Sequence, residues 1–198
     1  MRVLIIYESL FGNTRDVSEA IADGLRAGTG PIQVRCVSAV DILPTELGHT
    51  DLLVIGGPTH HKGVASRTSV IEARQLQRRL VLRGHPAVPG HRGLLGEPSL
   101  DAALQAPPNL APDADLRAWL RAVPDGPGLA AAAFDTRLGS RWSGGASSGI
   151  ARRLRRHGYH LIAGPEGFVL DGLMGPLRDG ELIRAHGWGA ELRHQVLM

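Results

Sequence analysis

Val3-Leu4-Ile5-Ile6-Tyr7-Glu8-Ser9-Leu10-Phe11-Gly12-Asn13-Thr14 is the stretch from which the rest of the chain is read. A short apolar run ends and a small polar turn follows. A helical pattern then opens at once, with Val17, Ala20, Ile21 and Leu25 on one face. A strand that turns straight into a helix aims several backbone N–H groups, and the positive end of a helix dipole, at one spot. That spot suits a phosphate. Hydroxyls at Ser9 and Thr14 add donors, and Gly12 lets the backbone come close. An ordinary turn with Asn13 or Thr14 as helix N-cap accounts for the same residues without a ligand.

Rival phosphate sites are excluded. A Walker loop ends in Gly-Lys-Ser/Thr, whereas the single lysine, Lys62, precedes Gly63. A dinucleotide fingerprint needs three spaced glycines, and the turn has Gly12 alone. A low-molecular-weight phosphatase needs a cysteine in the loop, but Cys36 lies elsewhere. A response regulator needs an acidic cluster and a late lysine. Glu8 stands alone and no late lysine exists.

Outward from the turn, strands and helices alternate. Strand patterns fall at 2–7, 32–37, 52–55 and 129–134, and a fifth opens at Tyr159-His160-Leu161-Ile162. Strand three, Leu52-Leu53-Val54-Ile55, is fully apolar, as a buried parallel strand is, and is expected to end at Gly56-Gly57-Pro58. Helical patterns fall at 13–27, 67–83, 113–122 and 146–157, the last closed by Gly158. A final helix places Leu182, Ala185, Gly189, Leu192 and Val196 on one stripe. Residues 84–112 hold six prolines and no lasting periodicity, which reads as a Pro/Gly-rich loop insertion between strands three and four. The whole, 1–198, reads as one α/β domain: a doubly wound, five-stranded parallel sheet of order 2-1-3-4-5. Ligands in such sheets sit at the carboxyl ends of the strands, so the loops after strands one, three and four are the ones to examine.

Composition narrows the class. The net charge is +3, and nearly all positive charge is arginine. No aromatic-interleaved basic stripe argues for nucleic acid, and Arg152-Arg153-Leu154-Arg155-Arg156 reads as a solvated helix face. No apolar run reaches membrane-spanning length, and the start runs straight into a strand, so a cytoplasmic protein with no membrane partner is expected. Cys36 reads as a buried, inert thiol.

The second loop, Gly56-Gly57-Pro58-Thr59-His60-His61-Lys62-Gly63, offers amides and imidazoles to edge a planar ring. Two adjacent histidines without further ligands are a poor zinc signature, so no metal is expected. The third loop runs Phe134-Asp135-Thr136-Arg137 and on to Trp142-Ser143-Gly144-Gly145. Trp142 stands outside any apolar periodicity, as a stacking partner beside a cleft does. No triad or carboxylate pair is found, so no catalytic side chain is expected.

Together these loops resemble those of the flavodoxin family. The resemblance lies in Tyr7 to Thr14, Gly57-Pro58-Thr59-His60, Ala133-Phe134-Asp135-Thr136-Arg137, Gly158-Tyr159 and Pro165-Glu166-Gly167-Phe168. It implies a flavodoxin-like fold binding FMN without a covalent bond. Ser9, Leu10, Phe11, Gly12, Asn13 and Thr14 would hold the FMN phosphate. Pro58, Thr59, His60 and His61 would border one face of the ring, and Phe134, Asp135, Thr136, Arg137 and Trp142 the other. The implied function is an electron carrier between a reductase and an acceptor protein. The alternatives are an NAD(P)H-dependent FMN oxidoreductase of quinone-reductase type and a flavin-free interaction domain.

Familiar flavodoxins are strongly acidic, and this chain is not, so an acidic redox partner is expected. Lys62, Arg67, Arg137 and Arg141 fall in or near the implied flavin loops. A unit charge about 6 Å away at an effective dielectric near 20 is worth about 3 kcal/mol. For one electron that is on the order of 100 mV before screening. A more easily reduced flavin than in acidic relatives is therefore expected.

Overall fold

A computed structural model describes residues 1–60, 63–64, 116–139, 145–172 and 174–198. In chain order its elements are β1 (Arg2–Tyr7), α1 (Asn13–Arg26), β2 (Gln33–Ser38), β3 (Leu52–His60), β4 (Gly63–Val64), α2 (Leu116–Ala122), β5 (Ala130–Leu138), α3 (Ala146–Arg156), β6 (His160–Leu161), β7 (Glu166–Leu170) and α4 (Glu181–Leu197). The helix expected at 67–83, the insertion at 84–112 and residues 113–115 lie outside the described residues.

Across the sheet the parallel order is β2-β1-β3-β5, followed by β6 and β7 end to end in the fifth position. This is the expected 2-1-3-4-5 arrangement. The fifth strand is split: β6 pairs with the start of β5 and β7 with its end. The break is Ile162-Ala163-Gly164-Pro165, where Pro165 has no N–H to give a ladder. Both faces are covered, so Leu52, Leu53, Val54 and Ile55 are fully buried. On one face α1 and α4 bring Val17, Ile21, Leu25, Trp188 and Leu192 against Phe134 and Phe168. On the other, Leu116, Trp119 and Leu120 of α2 meet Ile150 and Leu154 of α3.

Strand three runs five residues past its expected end. Gly56 and Gly57 do not break it. The Phe134 ring fills the space a Cβ on Gly56 would need, and a Cβ on Gly57 would lie 2.6 Å from Leu116. Both glycines are packing residues in a continuing strand, which β5 follows to the Pro58–Thr136 register pair. Strand four likewise runs on to Leu138 because β7 pairs with residues 134–138. These extensions turn two expected loops into strand ends, which fixes the directions of their side chains.

Helix α4 departs from its expected stripe at one place. Leu182 is 45% exposed, while Ala185, Trp188, Gly189 and Leu192 are buried. Packing against α1 begins only at Ala185–His186, so the first turn of α4 runs past it. There the helices approach backbone to backbone. A Cβ on Gly24 would collide with the carbonyl oxygen of His186, and one on Gly189 with that of Ile21. Arg193 is buried in the same seam. Its Nη1 donates to the Leu25 carbonyl at 2.8 Å, and Nη2 donates to the carbonyls of Gly30 (3.1 Å) and Thr29. A cation thus satisfies the carbonyls at and just beyond the negative end of α1. No helix among the described residues is long and apolar enough to cross a membrane.

Cys36 is half-buried on β2. Burial, with the Glu19 charge adding to it, pushes the thiol from 9.0 up to about 11. The fold therefore favours the protonated thiol. That contribution to stability is intact below pH 9 and is lost as pH rises through 11. Because the thiolate is the nucleophile, alkylation near pH 8 is expected to be about a hundredfold slower in the native protein than in the urea-unfolded chain. Equal rates in the two states would contradict this placement.

Candidate functional site

The carboxyl ends of β1, β3 and β5 converge beside the start of α1. Gly12 takes the left-handed conformation, φ +87°, and is itself the N-cap of α1. Asn13 and Thr14 are thus the first helical residues, not caps. The helix opens with the Asp16 N–H donating to the Gly12 carbonyl at 3.0 Å. The N–H groups of Asn13 and Thr14 find no acceptor among the described residues. These are the orphan donors of a helix start. Two bonds hold the turn. The Glu8 N–H donates to the Gly56 carbonyl at 3.1 Å, and the Arg15 N–H to Ser9 Oγ at 3.3 Å.

Two side chains of the turn are already engaged. Thr14 is 2% exposed, and its hydroxyl pairs with that of Thr136 at 2.9 Å. The donor Thr14 leaves unspent is its backbone N–H. Asn13 Nδ2 donates to the Met174 carbonyl at 2.9 Å, and Gly175, φ +106°, lies against the Asn13 amide. The loop after β7 therefore borders the turn as a fourth wall. Sequence patterning gave no sign of this, because the contact spans most of the chain. Ser9, Leu10 and Phe11 are half-buried.

At the end of β5 the period-two alternation sends Thr136 toward α1 and Asp135 toward α3. Asp135 is fully buried. Its Oδ2 accepts the Ser147 N–H at 2.8 Å, and Arg137 Nε lies 2.8 Å from Oδ1. Beside it, Thr59 Oγ1 accepts the Ala146 N–H at 2.9 Å. The start of α3 is thus capped by residues from two neighbouring strands. One signal of this was legible: Gly144-Gly145 precede Ala146 and carry no capping side chain. Gly145 is required there, since a Cβ would lie 2.6 Å from the Asp135 carboxylate, and Gly167 leaves room for the Arg137 guanidinium. Burial raises the Asp135 pKa, opposed by the Ser147 N–H and the Arg137 charge.

Two expectations change here. Arg137 was counted as a free positive charge beside the implied ring. Asp135 neutralises it, so it adds little net field. Lys62, Arg67 and Arg141 lie outside the described residues, as do His61 and Trp142. Phe134 is fully buried, and its ring packs edge-to-face with Phe168 and Trp188 at 6.1 and 6.2 Å. Its side chain belongs to the core, and only its backbone belongs to the strand end. Pro58 and Thr59 stand on β3 opposite this strand end, and His60 pairs with Gly63 in a tight antiparallel hairpin. Among the described residues no group of three His, Cys, Asp or Glu side chains is placed to hold a metal ion.

Residues 5–87 match the family model for flavodoxin. No curated protein matches the sequence. Among solved structures, the fold is similar to that of a flavodoxin from the domain Archaea, 17% identical over all of both chains, with a TM-score of 0.60. It is similar also to oxidised Flavodoxin 1 from Bacillus cereus, 16% identical over 97% of each chain, with a TM-score of 0.61. The Flv1 flavodiiron core from Synechocystis contains the same fold: 17% identity, all of this chain but 36% of that one, TM-score 0.57. The turn and the first helix lie inside the matched segment and the sheet order is shared along the chain, so the fold is flavodoxin-like.

Proposed function

We propose that this chain binds FMN non-covalently at the carboxyl ends of β1, β3 and β5 and exchanges electrons with protein partners, a reductase and an acceptor. The observation that carries the reading is the turn at Ser9–Thr14. It combines a left-handed glycine, unspent N–H groups at Asn13 and Thr14 and the positive end of α1. The donor set fits a retained phosphate, since the turn holds neither a lysine nor a cysteine. The amides of Gly12, Asn13 and Thr14 and the Ser9 hydroxyl would hold that phosphate. Pro58 and Thr59 on β3 would border the planar ring on one side and the Asp135–Arg137 pair on the other. Bound there, FMN supplies one- and two-electron exchange. The protein's part is to fix the ring, limit water and set the local field.

The purified protein is expected to be yellow, with flavin absorbance that bleaches reversibly on anaerobic reduction. The released chromophore should be FMN and not FAD by chromatography. A colourless protein that stays colourless after incubation with FMN would overturn the reading.

A further inference from the structure

The arginine run read from sequence as a solvated face acquires a neighbour in the fold. On α3, Arg152, Arg155 and Arg156 are exposed at i, i+3 and i+4 and so share one outward stripe. On α2, Arg117 and Arg121 are exposed at i and i+4. The two helices pack into the same core through Leu116, Trp119, Leu120, Ile150 and Leu154, so both arginine stripes face outward on the same side of the sheet. Neither helix contains an acidic residue. In sequence the nearest carboxylates are Asp115, which precedes α2 and lies outside the described residues, and Asp125, which pairs with His157 at 2.9 Å. Among the described residues no ion pair involves Arg121, Arg152, Arg155 or Arg156, whereas Arg15, Arg26, Arg137, Arg178 and Arg184 all have one.

The start of α3 meets the candidate site, and its arginines follow along the helix as far as the last turn. The first amides of α3 bond to Thr59 and Asp135. At about 1.5 Å rise per residue, Arg152 stands roughly 9 Å along the axis from Ala146. A partner covering about 800 Å² would span both. We propose that the α2–α3 face is the docking surface for an acidic redox protein, holding it beside the cofactor end of the sheet. The proposal rests on the electron-exchange reading above. Opposed charge raises encounter rates and orients partners, and Arg121, Arg152, Arg155 and Arg156 supply it without prior disruption of local ion pairs. A protein fits this face better than nucleic acid. Trp119 is buried with its indole N–H donating to the Ile42 carbonyl, and no exposed aromatic side chain on either helix offers a base a stacking platform.

The test uses the FMN-loaded full chain, reduced chemically, and stopped-flow electron transfer to two acceptors: an acidic haem protein, soluble cytochrome b5, and a basic one, cytochrome c. The variant carries Arg152→Gln, Arg155→Gln and Arg156→Gln, and the control carries Arg2→Gln at the start of β1 and Arg35→Gln on the edge strand β2. Bound flavin and its absorbance are checked in each, so that loss of the cofactor is not mistaken for loss of docking. The expected result is a roughly tenfold or greater loss of second-order rate to cytochrome b5 in the variant at low salt, narrowing as salt rises, with little change in the control and no such loss to cytochrome c. Rate to the acidic acceptor in the parent should fall as salt rises. Equal rates in variant and parent would overturn the proposal. So would tight binding of a short DNA duplex that the same three substitutions abolish, which would assign the face to nucleic acid.

Discussion

Gly24→Ala is expected to destabilise the protein by about 3 kcal/mol, although alanine is the better helix former. Helix propensity alone favours the substitution by about 1 kcal/mol. Against it stands the crossing of α1 and α4, where a Cβ at Gly24 would collide with the His186 carbonyl oxygen and crowd the Ala190 nitrogen at 3.0 Å. The obstacle is backbone, which cannot rotate away as a side chain does. The helices must separate, which also strains the Gly189–Ile21 contact and the Arg193 bonds to the end of α1. Overpacking of this kind costs about 1–3 kcal/mol, toward the upper end when the neighbour is rigid. Thermal and urea unfolding measure it: a fall in melting temperature of roughly 6–12 °C is expected for a chain of this size. A variant as stable as the parent, or more stable, would mean that the helices do not cross at this glycine.

The second large effect is at Asp135. Asp135→Ala is expected to cost about 3 kcal/mol, because it strands the Ser147 N–H and leaves Arg137 facing a vacated site. The value lies at the low end for a broken buried pair because Arg137 keeps 26% of its side chain in water. Combining Asp135→Ala with Arg137→Met removes the stranded charge. The double variant should lose less than the sum of the two single losses, and urea titration of all four proteins gives the coupling directly. Additive losses would show that the pair does not act as a unit. The Asp135→Ala variant should also loosen the start of α3, seen as faster amide exchange at Ala146 and Ser147.

Much of the fold was legible because its signals were local. The apolar runs at Val3–Tyr7 and Leu52–Ile55, the helical spacing of Val17, Ile21 and Leu25, and the strand–turn–helix at Ser9–Thr14 each state their structure within a few residues. The split fifth strand was half-legible, since Pro165 interrupts it but nothing local says that the two pieces lie along one neighbour. What was not legible depends on distant partners. Gly56 and Gly57 read as a turn until Phe134 and Leu116 fill their side-chain space. Phe134 read as a ring wall until its alternation along the extended β5 turned it into the core. Arg137 read as a free charge because its partner, two residues away, is on the same face only when strand four continues past Phe134. Asn13 was legible as part of the turn, but its bond to Met174 was not.

In the proposed function the turn at Ser9–Thr14 holds the phosphate of FMN. The most direct measurement compares FMN with riboflavin, which differ by that phosphate alone, in fluorescence titrations of flavin-depleted protein. If the amides of Asn13 and Thr14 each donate to the phosphate, two charge-assisted bonds at about 1.5 kcal/mol make FMN bind at least about a hundredfold tighter than riboflavin. Equal affinities for the two flavins, or no binding of either, would contradict the claim.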